Sequence, residues 1–295
     1  MNNNVIGKKS CAFAILARDC NINLKKNILR VEELASYFKE YKILILENNS
    51  RDGTKKTLQE WAKSDSNVVV DSKDYNFDSN ETVGSGSSRI ERMTLFRNKY
   101  LEYYRTCEYK YDYLIVLDID IDYFDPKAVL DSIVNAPKDW IALLANGRFY
   151  TTFLGKIIIG KYYDNYAFVP YNSDYLELNY EEVRCNNDIV QYGLKKNDYL
   201  ECNSAFGGIG VYSYEAAMKC NYSTYNNTRS DYYNNICEHI PFNYEMNKYG
   251  NLYISKKMNV LYERRNLIKT LFTLNIKQST MLWFYTKILK RKLPK

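Results

Sequence analysis

Apolar residues follow two rhythms over the first half of the chain. Cys11 to Ala17 is an unbroken apolar run closed by Arg18-Asp19, which predicts a strand buried on both faces. Leu24, Ile28, Val31, Leu34, Ala35 and Phe38 then recur in steps of three and four, the spacing of an amphipathic helix. Ile43-Leu44-Ile45-Leu46 predicts a second strand, ending in the polar loop Glu47-Asn48-Asn49-Ser50-Arg51-Asp52-Gly53-Thr54. A helix to about Ala62 and a third strand at Val68-Val69-Val70 complete the series. Strand, helix, strand, helix, strand is the pattern of a doubly wound α/β sheet. Ligands of such sheets bind at the carboxyl ends of the strands, where Arg18-Asp19 and Glu47-Asn48-Asn49 fall.

After a polar loop from Ser72 to Ser88 with the run Gly84-Ser85-Gly86-Ser87-Ser88, a helix is predicted over 88–105. Its apolar face is Ile90, Met93, Phe96, Tyr100, Leu101 and Tyr104, and Arg97 falls in the middle of that face. A buried guanidinium needs an anionic partner, either a neighbouring carboxylate or a bound phosphate. Next comes Tyr113-Leu114-Ile115-Val116-Leu117-Asp118-Ile119-Asp120-Ile121-Asp122, a strand-like run that climbs into three carboxylates at alternate positions. Carboxylates are expensive to bury unpaired. Either they are solvated at an exposed strand end, or they hold a hard divalent cation, which takes oxygen ligands from carboxylates and substrate phosphates.

Asp125-Pro126 marks another helix start, with proline in the first turn, and Trp140 to Ala145 another strand. From Asn146 to about Leu200 tyrosines and short mixed segments replace the regular alternation. Asn203 to Tyr212 holds Gly207-Gly208, which allows either a close approach of backbone to a ligand or a tight bend. Cys237-Glu238-His239 carries the only histidine.

The 295 residues allow one large α/β domain or two small ones. The net charge of +6, from 41 basic and 35 acidic residues, gives no reason to expect a nucleic-acid partner but suits a phosphate-bearing ligand. Seven cysteines without a C-x-x-C pair exclude a disulfide scaffold and a zinc knuckle, and point to reduced thiols in a cytoplasmic setting. The tail 266–295 is apolar and basic, fitting either a docked helix or a foot on an anionic membrane surface, that is, a location peripheral to a membrane.

Four stretches together resemble the GT-A glycosyltransferases, and most of all the capsule-associated α-1,3-mannosyltransferase-like enzymes. They are Ile15-Leu16-Ala17-Arg18-Asp19 with Glu47 to Thr54; Arg89-Ile90-Glu91-Arg92 through Arg97-Asn98-Lys99; Leu117-Asp118-Ile119-Asp120 at the DxD position; and Tyr162 to Phe168, then Asn203 to Gly208, then Cys237-Glu238-His239. The resemblance implies a GT-A-like (Rossmann-like), mostly parallel sheet flanked by helices over residues 1–265, with an elaborated acceptor side, and a basic C-terminal helical tail over 266–295. It implies a metal-dependent transfer of a sugar from a GDP- or UDP-linked donor to a glycan or other hydroxyl acceptor. Asp118 and Asp120 would hold Mn2+ or Mg2+, with Asp118 also toward the ribose; Asp122 and His239 are further metal candidates. Arg18, Glu47, Asn49, Asp52, Arg97 and Asn98 would line the donor pocket, with Gly207 and Gly208 against the sugar. Glu238, and less so Asp164, are the acids for the acceptor hydroxyl.

Two other readings compete. A haloacid-dehalogenase-like phosphotransferase also places D-x-D at a strand end, but wants Thr or Val where Asp122 stands and places the motif after the first strand. A carbohydrate-binding protein would use the 30 tyrosines for stacking.

Overall fold

The computed structural model describes residues 6–75, 86–176, 180–225, 236–267 and 287. Residues 76–85 of the glycine–serine loop, and all of the tail beyond 267 except residue 287, lie outside the described residues. The first half folds as the apolar pattern predicts: β1 (Ser10–Ala17), α1 (Asn21–Ser36), β2 (Glu40–Glu47), α2 (Thr54–Ser64), β3 (Val68–Ser72), α3 (Gly86–Thr106) and β4 (Tyr113–Asp118). Alternation splits β1 cleanly, as side chains on a strand must. Phe13 and Ile15 pack with Leu24, Val31 and Trp61 on one face of the sheet. Ala12 and Ala14 pack with Tyr100, Leu101 and Tyr104 on the other.

The remaining elements are β5 (Tyr123–Phe124), α4 (Pro126–Val134), β6 (Trp140–Phe153), β7 (Lys156–Tyr162), β8 (Val169–Pro170), α5 (Tyr180–Lys196), β9 (Tyr199–Ser204), β10 (Ile209–Ser213), α6 (Tyr214–Ala217), α7 (His239–Met246) and β11 (Asn251–Arg264). Asp125 caps α4, accepting from the Lys127 N–H at 2.9 Å. The strand predicted at Trp140 to Ala145 runs on to Phe153, and the stretch without regular alternation contains the β6–β7 hairpin and α5.

Eleven strands form one mixed sheet in the order β3-β2-β1-β4-β10-β6-β11-β9-β8, with β5 on β11 and β7 on β6. The first four strands are parallel. β10 enters antiparallel between β4 and β6, and β11 lies parallel to β6 and antiparallel to β9. Helices cover both faces, so the molecule is of the α/β class with two apolar layers around a central sheet. The strand order reverses at β1, between β2 and β4, which opens a crevice at the carboxyl ends of β1 and β4. All seven cysteines are free thiols, six of them buried. Among the described residues no helix is long and apolar enough to cross a membrane.

Candidate active site

β4 ends at Asp118, and the chain then turns. Ile119 and Ile121 stay fully buried on the α1 side. Asn27 of α1 pins them, its side-chain amide donating to the Ile119 carbonyl at 2.8 Å and the Ile121 carbonyl at 2.6 Å. The three carboxylates therefore leave the strand end in separate directions. Asp118 faces the crevice, and its backbone N–H donates to the Gly208 carbonyl at 2.9 Å. Asp120 is exposed as a residue, with its carboxyl facing the cleft lining. Asp122 turns back into the fold: its carboxylate accepts from the Asn23 amide at 2.7 Å and from the Arg264 N–H at 3.1 Å.

The crevice is a cleft of about 320 Å³ lined by the ends of β1 and β4, the first turns of α3, and Tyr262 of β11. Arg89, Arg92, Met93 and Phe96 of α3 lie at positions i, i+3, i+4 and i+7, so one helical stripe forms a wall. Arg18 and Asp19 close the cleft from the end of β1, with Arg18 Nε 3.6 Å from the Asp19 carboxylate. Three carboxylates, those of Asp19, Asp118 and Asp120, thus share a small space with three guanidinium groups, those of Arg18, Arg89 and Arg92, and Asp19 is already paired with Arg18.

The electrostatics record this crowding. Burial, partly offset by Arg97 and reinforced by Asp120, pushes the Asp118 carboxyl up to about 7. Asp120 is raised too, by the protein mass around it and by Asp122, against its own backbone N–H and Arg89. Arg92 is held below the usual arginine range by burial and by the like charge of Arg18. The Tyr262 phenol is pushed up by burial and by Asp118 and Asp120. Each shift eases when opposite charge arrives: a cation between the two aspartates, an anion among the arginines.

Beneath the cleft lies a buried ion network. Arg97, only 2% exposed, donates from Nε to Glu238 at 2.9 Å and places its other arm 3.5 Å from Asp118. Its guanidinium also sits 5.1 Å over the Phe206 ring. The anionic partner that the sequence demanded for Arg97 is therefore double, a strand-end aspartate and a glutamate 141 residues away. His239 is buried, stacked on Phe206 with ring centroids 4.0 Å apart. Burial and Arg97 hold its imidazole neutral, well below the usual range.

Asp164 accepts from the Gly207 N–H at 3.0 Å and the Ala167 N–H at 3.3 Å, and burial pushes its carboxyl up to about 6. Gly207 (φ +68°) and Gly208 (φ +95°) form a left-handed turn that presses on β6. A Cβ on Gly207 would stand 2.1 Å from the Ala145 carbonyl oxygen, and one on Gly147 2.4 Å from the Gly207 carbonyl oxygen. The close approach that these glycines permit is backbone against backbone.

Of the residues singled out from the sequence, Arg18, Asp118 and Asp120 line the cleft. Glu47, Asn49 and Asp52 brace the loops around it. Glu47 accepts from the Ser50 N–H at 2.8 Å and from the Ser72 hydroxyl. Asn49 donates to the Tyr75 carbonyl at 2.8 Å, and Asp52 accepts from the N–H groups of Thr54 and Asn21. Asn98 clamps the Tyr222 backbone with both ends of its amide. Glu238, His239, Asp164 and the Gly207 turn lie outside the cleft lining, linked to it through Arg97 and the Asp118 backbone. Arg92, Arg89 beside it and Tyr262 are not among the site candidates from the sequence, although the stretch Arg89 to Arg92 carries part of the resemblance. The i, i+3 arginine pair at the start of α3 carried the signal for the arginines; nothing local marks Tyr262.

No protein-family model matches the chain, and no curated protein matches its sequence. Solved structures are similar at low identity. One is a mannosyltransferase from Pyrobaculum calidifontis in complex with GDP-Man and Mn2+, 8% identical with a TM-score of 0.39, aligned over 73% of this chain and 48% of that one. S. aureus TarS 1–349 is 9% identical with a TM-score of 0.44 over 95% and 70%. GalNAc-T7 with UDP, GalNAc and Mn2+ is 13% identical with a TM-score of 0.48 over 88% and 45%. This chain spans less than half the length of the first and the third.

Proposed function

We propose that this chain is a GT-A-like glycosyltransferase that moves a sugar from a nucleoside-diphosphate donor to a hydroxyl acceptor. The observation that carries the reading is the cleft at the strand-order reversal, where Asp118 and Asp120 face Arg18, Arg89 and Arg92. A diphosphate paired with a divalent cation satisfies both sets of charges at once, whereas a simple anion or a simple cation satisfies one.

On this reading Asp118 and Asp120 hold Mn2+ or Mg2+. Among the described residues no cluster of three metal-binding side chains exists; further ligands would come from the donor's phosphate oxygens, as is common for hard cations held by one or two carboxylates. The cation would supply charge neutralisation for the departing diphosphate. The arginines bind and orient the phosphates. Tyr262 lines the cleft with both aspartates, its ring stacked on Tyr163 at 3.4 Å between centroids, and offers a flat apolar face to a sugar ring. Arg97 fixes the Asp118 carboxylate, Glu238 holds Arg97, and Asp164 fixes the Gly207 turn. We assign Glu238 and Asp164 to positioning, since neither reaches the cleft lining.

The family resemblance makes GDP-mannose the first donor to test, with UDP-sugars beside it. The experiment is a thermal-shift panel of GDP, UDP and their sugars with Mn2+, followed by an assay for nucleoside diphosphate release. A ligand selective for the folded state raises the midpoint by mass action. A raised midpoint with release of diphosphate supports transfer. Stabilisation by glycans alone, with no release from any donor, would favour the carbohydrate-binding reading, and a flat panel would sink the nucleotide reading altogether.

A further inference from the structure

The β6–β7 hairpin ends in a two-residue turn, Leu154-Gly155, with Phe153 opposite Lys156, Thr152 opposite Ile157 and Thr151 opposite Ile158. Its tip is strongly apolar and in contact with water. Leu154 is 85% exposed, Ile157 55%, Phe153 50% and Ile159 41%. The register puts Ile157 and Ile159 on one face of the ribbon and Phe153 on the other. A Cβ added at Gly155 would meet nothing within 4 Å, so among the described residues nothing covers the turn.

Two features argue that this exposure is selected. First, Leu154 and Gly155 both have positive φ, 47° and 74°. Turns of that kind favour Asn-Gly or Asp-Gly, because asparagine and aspartate tolerate the left-handed region and leucine does not. The first turn position therefore holds a residue that is wrong for the backbone and wrong for water, and such an outlier points to function. Second, residues 148–161 carry no acidic residue, and of their three basic residues Lys156 is exposed near the tip and Lys161 is half-buried, while Arg148 is turned inward onto the Gly160 carbonyl. At the root, Glu263, Arg264 and Arg265 add one further net positive charge, and Arg264 donates to the Thr152 hydroxyl.

We propose that this hairpin is a membrane-docking element that inserts its tip into an anionic lipid surface. A groove on a protein partner takes one face of a ribbon, whereas here apolar side chains project from both faces and from the turn itself, which suits a medium that surrounds the tip. A net positive charge at the tip and root suits an anionic headgroup layer. The hairpin grows from β6, whose partner strand β11 supplies Tyr262 to the cleft. Docking would therefore hold the cleft close to the lipid surface. Lipid docking by the hairpin does not depend on sugar transfer in the cleft.

The test is flotation of the full-length protein with vesicles of phosphatidylcholine alone and of phosphatidylcholine with phosphatidylglycerol. The wild type is expected to float with the anionic vesicles, less with the neutral ones, and less as salt is added. Leu154→Asn should lower the bound fraction about tenfold, since it removes a buried leucine-sized apolar contact. Its melting midpoint should hold or rise, because asparagine fits the turn. Ile157→Thr keeps a β-branched residue in the strand and should lower binding in the same direction. Absence of wild-type flotation, or equal flotation by Leu154→Asn, overturns the proposal. So does lipid-free self-association of the wild type that Leu154→Asn abolishes, and equal binding to neutral vesicles overturns the anionic assignment.

Discussion

Arg97 is a buried charge beneath the cleft, 2% exposed. It stays folded because two carboxylates meet it, Glu238 at 2.9 Å and Asp118 at 3.5 Å. Replacing it with methionine keeps the stem and deletes the charge, leaving both acids buried and unpaired. Loss of one partner from a buried ionic network costs about 3–5 kcal/mol, so urea denaturation of Arg97→Met should show that drop. An unchanged midpoint would mean that Asp118 and Glu238 are stabilised without it. The same network sets a pH dependence. Burial pushes Asp118 up to about 7 and Asp164 up to about 6, above the unfolded value of about 3.9. An acid raised in this way binds more protons folded than unfolded. Its contribution to stability is greatest below about pH 4 and is lost as the pH climbs through the folded values, with no further loss beyond. Cation binding runs the other way, since it needs the deprotonated carboxylates. The midpoint gain from Mn2+ with a nucleoside diphosphate should be small at about pH 5.5 and large at about pH 8. Asp118→Asn should remove most of that gain at both. Asp120→Asn, at an exposed position, should abolish the gain without lowering the midpoint of the unliganded protein by more than about 0.5 kcal/mol equivalent.

Elements differ in how much of their shape is local. The strand–helix alternation from β1 to β4 was readable because each element buries a face with its own period: the helix stripe Leu24, Ile28, Val31, Leu34 and the strand run Cys11 to Ala17 both lie in the core where the pattern puts them. Asp118 and Asp120 were readable for the same reason, since a strand of six residues delivers them to the crevice. Beyond Ala145 the local signal fades. Tyrosines serve the core at Tyr162 and Tyr212 and the surface at Tyr171 and Tyr249, so one residue type no longer reports a face. The hairpin at 148–161 is apolar on both faces and has no strand period to read. Glu238, at the start of α7, and Tyr262, on β11, reach the site region through tertiary packing that no spacing encodes. The Gly207 turn was half readable: its permissiveness was evident, its target was not. That target gives a prediction. Gly207→Ala forces a Cβ to within 2.1 Å of the Ala145 carbonyl at φ +68°, so both backbone strain and a clash must be relieved. The cost should be about 2–4 kcal/mol, and the displaced turn should loosen the Gly208 carbonyl that accepts the Asp118 N–H. Donor affinity should therefore fall along with stability. Gly155→Ala, also at positive φ but in open space, should cost only the backbone strain, about 1 kcal/mol, and leave affinity unchanged.

At the scale of the whole molecule, the strand order decides whether residues 1–265 are one folding unit. β1 to β4 alone would resemble a parallel α/β half-domain, yet its inner edge, β4, is paired by β10, ninety residues later. β10 in turn pairs β6, and β11 lies between β6 and β9. Neither half can satisfy the hydrogen bonds of its edge without the other, and an unpaired central strand is both unstable and prone to aggregation. The two apolar layers repeat the point: one joins Leu44 and Leu114 to Leu200 and Phe242, the other joins Phe13 and Trp61 to Val211 and Val260. A single cooperative transition follows, and the tryptophans can test it. Trp61 lies in α2 and Trp140 opens β6, so each reports on one half. In a Trp283→Phe background, Trp61→Phe and Trp140→Phe each leave one reporter. Their urea curves should share the slope and differ in midpoint only by the small cost of the substitution. Two separated transitions, one from each tryptophan, would show that the halves fold apart and that the sheet is cooperative only within each half.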